Sequence, residues 1–171
     1  MTKFPSPVPI PGGDQTTPDI SREIYGMPAF ATLLSSDVSA LVDWYTTGLG
    51  FIELFAIPGP SGAPLLVHLR RWQFQDLLVR PAPGPVVPGS TITLSFAAVI
   101  GELDQLVARA RTHGGGGIGS PFDTRWNTRD VITTDPDGNT VIFTAGRPPE
   151  ATNRDFSAQM AEWNEEQGLS S

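Results

Sequence analysis

Phe30-Ala-Thr-Leu-Leu-Ser-Ser36, then Asp37-Val-Ser-Ala-Leu-Val-Asp-Trp-Tyr45 and a stop at Gly48 and Gly50, decide the fold, because the same arrangement returns further along the chain. The opening run is apolar and strand-like, and Asp37 suits a helix N-cap, where a carboxylate accepts from orphan backbone N–H groups. Val38, Leu41, Val42 and Tyr45 recur at i, i+3, i+4 and i+7, which lays one apolar stripe along a helix. Shifted by 65 residues, from Phe30 to Ser95, the chain reads Ser95-Phe-Ala-Ala-Val-Ile100. Glu102 takes the place of Asp37, Leu103, Leu106, Val107 and Ala110 fall on the same helical positions, and Gly115 falls on Gly50. Chance supplies two amphipathic helices easily. A shared register of strand, acidic start, stripe and stop reads as a weak internal duplication.

Three strand-like runs follow each helix. After the first come Phe51–Ile57, Leu65–Arg70 and Phe74–Arg80, with turns at Pro58–Gly62 and Arg71–Gln73. After the second come a short run from Ile118, then Asp130–Thr134 and Thr140–Thr144, the last two joined by the strong turn Asp135-Pro-Asp-Gly-Asn139. Each half is therefore βαβββ, over about residues 27–82 and 90–146, joined by the proline-rich link Pro81–Gly89. Together they make one α+β domain over residues 24–146. Residues 1–23 carry Pro5, Pro7, Pro9, Pro11 and Pro18 and read as an extended, flexible arm. Residues 147–171 are expected to hold an amphipathic helix over Thr152–Gln167, with Phe156, Met160 and Trp163 on one face.

Composition narrows the chemistry. At a net charge of −7, with no basic cluster interleaved with aromatics, nucleic acid is not an expected partner. The absence of cysteine removes disulfides, thiolate nucleophiles and Cys-ligated metals, and two histidines, His68 and His113, are too few for most imidazole-built sites. No stretch approaches a membrane span, and no apolar leader follows Met1, so the expected setting is the cytoplasm without a membrane partner.

Two local motifs extend the duplication into a family resemblance. Asp37 followed by Trp44-Tyr-Thr-Thr-Gly-Leu-Gly-Phe51, and Trp126-Asn-Thr-Arg-Asp130 leading into the Asp135–Asn139 turn, resemble the vicinal-oxygen-chelate superfamily of glyoxalase and bleomycin-resistance type. The resemblance covers residues 27–146 and implies paired βαβββ modules forming a cupped, incomplete β-barrel. In metal-using members it implies four side chains, typically His, Gln or Glu, converging on one divalent cation. The first such position, seven residues before the acidic helix start, is Phe30, and its counterpart before Glu102 is Ser95. The last, three beyond Asn139, is Ile142, and the 65-residue shift puts the remaining one at or beside Leu77, with Asp76 as the nearby donor. Phe, Ser, Ile and Leu do not make a cation site. The expectation is therefore no metal and no cofactor, with the metal-free antibiotic-sequestering members as the nearest analogy.

Reading by twos along the strands, the cavity face is expected to carry Phe30, Thr32, Leu77, Val79, Ser95, Ala97, Ile142 and Thr144, an apolar floor with three hydroxyls suited to a planar or aromatic ligand. The same residues also suit a filled core. Trp126, with Arg129 in the same motif, is placed at the entrance of the last hairpin, where the indole either stacks on a ligand or packs against the C-terminal helix. His68, between Val67 and Leu69, is expected on the surface or a dimer face, and His113 at a helix C-terminus. Glu53 and Asp76 are the strand carboxylates able to act as a base, with no partner acid or nucleophile evident. Three readings follow. The first is a metal-independent small-molecule binder acting in antibiotic sequestration, resistance or secondary metabolism, as a homodimer with Trp44 and the C-terminal helix as candidate interface pieces. The others are a lyase, isomerase or dioxygenase-like enzyme of the family, and a purely structural module.

Overall fold

The computed structural model describes residues 17–27, 29–88, 93–166 and Gly168; residues 1–16 of the arm, the end of the link and the extreme C-terminus lie outside the described residues. The N-terminal half contains β1 (Ala31–Ser35), α1 (Val38–Asp43) continued by a π-helical turn over Trp44–Gly48, β2 (Ile52–Pro58), β3 (Pro64–Arg70) and β4 (Asp76–Pro81). The C-terminal half contains β5 (Thr93–Ala97), α2 (Ile100–His113), β6 (Gly117–Ile118), β7 (Phe122–Asp123), β8 (Thr128–Thr134) and β9 (Thr140–Gly146), and α3 (Arg154–Glu166) follows. The fold is α+β with two open mixed sheets, ordered β1-β4-β3-β2 and β5-β9-β8-β6, with β7 also paired to β8. In both, the strand before the helix runs parallel to the last strand of its half, and the other pairings are antiparallel.

Both helices form for the reason visible in the sequence. Asp37 accepts from the Ala40 N–H at 3.0 Å, and Leu41 and Tyr45 are fully buried. In α2, Leu103, Leu106, Val107 and Ala110 are buried on one stripe. The acidic start differs between the two: α2 begins at Ile100, so Glu102 is the third residue of its first turn and reaches back to accept from the Val99 N–H at 3.1 Å. One core serves both halves. Tyr45 meets Phe51 and Phe51 meets Phe96 edge-on at 5.3 Å, and Phe96 lies 6.0 Å from Phe143. Trp44, a candidate for an interface, is instead buried in this core. It explains one glycine of the 114–117 run: a Cβ on Gly116 would lie 2.7 Å from the Trp44 ring and 2.5 Å from the Thr134 carbonyl oxygen.

Polar clamps fix the halves to one another in a pseudo-symmetric way. The Ser36 hydroxyl, after β1, donates to Asp137 in the β8–β9 turn at 2.8 Å. The Gln75 amide, in the β3–β4 turn, donates to the Ala97 carbonyl at the end of β5 at 3.2 Å, and the Arg71 guanidinium donates to the same carbonyl and to Glu102. Arg71 is held below the usual arginine range by burial, although Glu102 opposes the shift. At the centre the Tyr45 hydroxyl donates to Asp135 at 3.1 Å, and that carboxylate also accepts from the N–H groups of Asp137 and Asn139, which sets the turn.

Burial of the Tyr45 phenol, reinforced by the negative charge of Asp135, raises its pKa well above the ordinary value. The proton is therefore held more tightly in the folded chain, so this contribution to stability is complete below about pH 10 and is lost as the pH rises beyond it. With two tyrosines in the chain, ultraviolet titration resolves them. Tyr45 is expected to ionise only with unfolding, and Tyr45→Phe to remove that step while costing about 1–2 kcal/mol in denaturant unfolding. Reversible ionisation of both tyrosines in folded protein near pH 10 would contradict this.

Candidate functional site

Strand pairing decides which side chains leave the core. In the N-terminal sheet Thr32 pairs with Leu78 and Leu33 with Val79, and Leu33 and Val79 are both buried. The outward set is therefore Thr32, Leu34, Asp76, Leu78 and Arg80, joined on β3 by His68 and Arg70, which pair with Leu78 and Asp76. Leu77 and Val79, expected on the cavity face, instead enter the core with 1% and 0% exposure. The reason is a change of offset. The helices are 65 residues apart, whereas the hairpin pairs Arg70↔Asp76 and Thr134↔Thr140 are 64 apart. One residue exchanges the faces of a strand. The C-terminal sheet follows the expected parity: Ser95 pairs with Ile142 and Ala97 with Thr144, all outward, and the Thr144 hydroxyl donates to Asp130 at 2.7 Å.

The two sheets meet along a groove of about 280 Å³ between the β1–β4 edge and β5, lined by Phe30, Phe74, Asp76, Leu77, Ser95 and Ala97 among others. It brings together Phe30, Ser95 and the edge of Leu77. Ile142 and Thr144 lie beside it on β9, and Thr32 beside it on β1. Trp126 and Arg129 lie elsewhere. Trp126 is exposed and meets Phe156 of α3 edge-on at 6.2 Å. Arg129 shares the parity of Ala145, a core residue, and is ion-paired to Asp123 at 2.7 Å. A larger depression of about 570 Å³ lies beside α1 and the β2–β3 hairpin, lined by Val38, Val42, Glu53, Pro58 and Val67 with others. It is lined by the N-terminal half alone and holds none of the predicted binding residues, whereas the groove draws on both halves and holds several of them.

Asp76 is the polar centre of the groove. One carboxylate oxygen accepts from Arg70 Nε at 2.8 Å and lies 2.7 Å from His68 Nε2; the other accepts from the Tyr25 hydroxyl at 2.9 Å. Asp76 and Arg70 are buried to 4% and 0% exposure, and so is His68, contrary to its expected surface position. His68 is covered because Phe55 packs edge-on against its ring at 5.2 Å. The arm covers the rest. Arg70 Nη1 donates to the carbonyls of Ser21 and Glu23 at 3.0 and 2.7 Å, and its guanidinium lies 4.1 Å over the Tyr25 ring. Tyr25 also accepts from the Phe74 N–H at 2.6 Å, holding Phe74 at φ 64°, a left-handed conformation that a bulky residue adopts only when its surroundings impose it. Burial, aided by Asp76, raises the Tyr25 pKa, although the Phe74 N–H bond works against the shift. The signal for this cluster was present in the sequence as His68 and Arg70 alternating with Val67 and Leu69 on one strand. Its partner Asp76 becomes visible only once the hairpin register is known.

Donor chemistry at the four cation positions can now be tested in either register. The outward residues are Phe30 or Thr32, Asp76 or Leu78, Ser95 or Ala97, and Ile142 or Thr144. Asp76 alone is ionisable, and Arg70, His68 and Tyr25 already occupy both its oxygens. A divalent cation needs several free N or O donors. This set does not fit one, and among the described residues no group of three or more His, Asp or Glu is placed to hold a metal ion. His113, at the end of α2, lies 3.3 Å from Asp43 and stacks near Trp44, away from the groove. Among the described residues no helix is long and apolar enough to cross a membrane.

Residues 28–143 match the family model of the glyoxalase/bleomycin resistance protein/dioxygenase superfamily. No curated protein sequence matches the chain. Among solved structures, a glyoxalase/bleomycin resistance protein/dioxygenase domain from Frankia sp. EAN1pec is 19% identical with a TM-score of 0.60, covering 74% of this chain and 96% of its own. TnmS3, an antibiotic binding protein from Streptomyces sp. CB03234, is 23% identical with a TM-score of 0.54, covering 68% and 93%. The fosfomycin resistance protein FosX from Listeria monocytogenes is 13% identical with a TM-score of 0.56, covering 75% and 98%. At these identities the likeness is one of fold.

Replacing Asp76 by Ala leaves Arg70 and His68 buried without their partner, a loss of about 3–5 kcal/mol. Tyr25→Phe, which removes one neutral donor, is expected to cost about 1–2 kcal/mol. Denaturant unfolding of both variants checks the order; equal losses would remove Asp76 from the centre of the cluster.

Proposed function

The chain belongs to the glyoxalase/bleomycin resistance protein/dioxygenase superfamily, and on that premise we propose that it binds a small planar or aromatic organic compound without using a metal ion. The observation that carries this reading is the donor set: Phe30, Ser95 and Ile142 face outward where cation ligands would stand, and the one carboxylate among them is saturated by Arg70, His68 and Tyr25. Such a surface recognises a flat apolar ligand by contact and orients it by a few hydroxyls, here Thr32, Ser95 and Thr144. The antibiotic-binding neighbour makes sequestration of an antibiotic or of a related secondary metabolite the favoured role.

A homodimer is part of the reading. Phe30, Leu34, Phe55, Ile57, Phe122 and Ile132 are large, apolar and exposed, and patches of that kind call for a cover. The domain proper is taken as residues 24–146, and a cytoplasmic setting is part of the same reading. A family enzyme is the second reading. The observation in its favour is Asp130, which faces outward beside Thr144 and forms no ion pair among the described residues, a position open to a general base.

Thermal shift over a panel of aromatic antibiotics tests the proposal. A true ligand at a hundredfold excess over its Kd stabilises by about 2.7 kcal/mol. Ser95→Phe, which fills the groove, is expected to abolish the shift and Phe30→Ala to reduce it at least tenfold in affinity, while Trp126→Ala, away from the groove, leaves it unchanged. Absence of a shift with every compound, or a shift that Ser95→Phe leaves intact, would defeat the reading.

A further inference from the structure

Helix α3 lies outside the residues matched by the family model, and its own chain leaves it almost uncovered. No residue in it is buried, and Met160 and Trp163 are 39% and 50% exposed. Among the described residues its attachment is confined to the first turn: the Asn127 side chain bonds the backbone of Asn153 and, at 3.0 Å, the Ser157 hydroxyl, while Trp126 meets Phe156. A helix of 13 residues is marginal in water by itself and owes its stability to packing of an apolar face.

Phe156, Met160 and Trp163 stand at i, i+4 and i+7 and form one stripe. At helical spacing Asp155, Glu162 and Glu166 fall together on one flank of that stripe. The surface with matching needs is the outer face of the N-terminal sheet. There Leu34, Phe55 and Ile57 are exposed, and Arg80 stands directly beside Leu34 across the parallel pair. The outer face of the C-terminal sheet carries Asp130 instead, the wrong sign for an acidic flank. The dimensions agree: α3 is about 20 Å long, and four strands at about 4.8 Å spacing span about 15 Å.

We infer that α3 reaches across to a second copy of this chain and lies on the outer face of its N-terminal sheet, the apolar stripe on Leu34, Phe55 and Ile57 and the acidic flank toward Arg80. The partner for this contact rests on the dimeric reading above, and the ligand plays no part in it. Each helix then clasps the sheet that forms one wall of the other copy's groove. The clasp is an addition of this chain to the family scaffold.

The 171-residue chain contains no cysteine, so single introduced cysteines report directly. Ligand-free Leu34→Cys and Trp163→Cys proteins, mixed and oxidised, are expected to give the mixed cross-linked dimer at least tenfold over either homodimeric product. Arg80→Glu is expected to raise the dimer Kd at least tenfold by sedimentation equilibrium with unchanged circular dichroism, and Glu162→Arg in the same chain to restore it. Cross-linking only within one chain carrying both cysteines would overturn the inference, since the helix would then fold back on its own sheet. Equal yields of mixed and homodimeric products, or a dimer Kd indifferent to Arg80→Glu, would overturn it as well. None of these outcomes bears on whether the groove takes a ligand, so the two readings stand or fall separately.

Discussion

The shared carboxylate of Asp76 is the interaction on which the rest of this structure depends. A carboxylate and a guanidinium taken out of water together cost several kcal/mol unless every lone pair and proton is answered. Here one oxygen faces Arg70 and His68 and the other faces Tyr25. Arg70 Nη1 donates to the carbonyls of Ser21 and Glu23, which ties the arm to the sheet, while Nη2 is buried without a partner among the described residues. Tyr25 in turn holds Phe74 in its left-handed conformation at the rim of the groove. One side chain thus links strand register, the course of the N-terminal segment and the shape of the cavity wall.

The same residue determines what the groove can do. A family position open to a metal ligand is filled by a group whose charge is already neutralised, while its counterparts are Phe30, Ser95 and Ile142. The polar chemistry left facing outward includes the hydroxyls, Asp130 and, at the far end of β4, Arg80. Around it, the two halves are fixed by Tyr45 on Asp135, Ser36 on Asp137, and Arg71 with Gln75 on the Ala97 carbonyl. The Ser36, Arg71 and Gln75 clamps join the end of each first strand to the last hairpin of the other half, so both halves contribute to a single groove.

The scaffold was legible in the sequence because it is written in periodicity. The stripes of α1 and α2, the Asp135–Asn139 turn and the outward parity of Ser95, Ile142 and Thr144 all appear where spacing puts them. The N-terminal wall was not, because a shift of 65 residues fits the helices and a shift of 64 fits the hairpins. That single residue moved Leu77 and Val79 into the core and brought Asp76 out. Burial of His68 was hidden for a related reason: its partners, Asp76 and Phe55, lie on neighbouring strands, and alternation alone assigns a face without saying what covers it. The placing of Glu102 at the third position of α2 reflects local backbone capping, which periodicity does not encode.

These outward side chains lack the free donors that a divalent cation needs. Calorimetric titration of the chelator-treated 171-residue chain with zinc and with manganese puts this to the test. No stoichiometric uptake by the native chain is expected. Uptake of one equivalent that disappears in both Asp76→Asn and Ser95→Ala would contradict it.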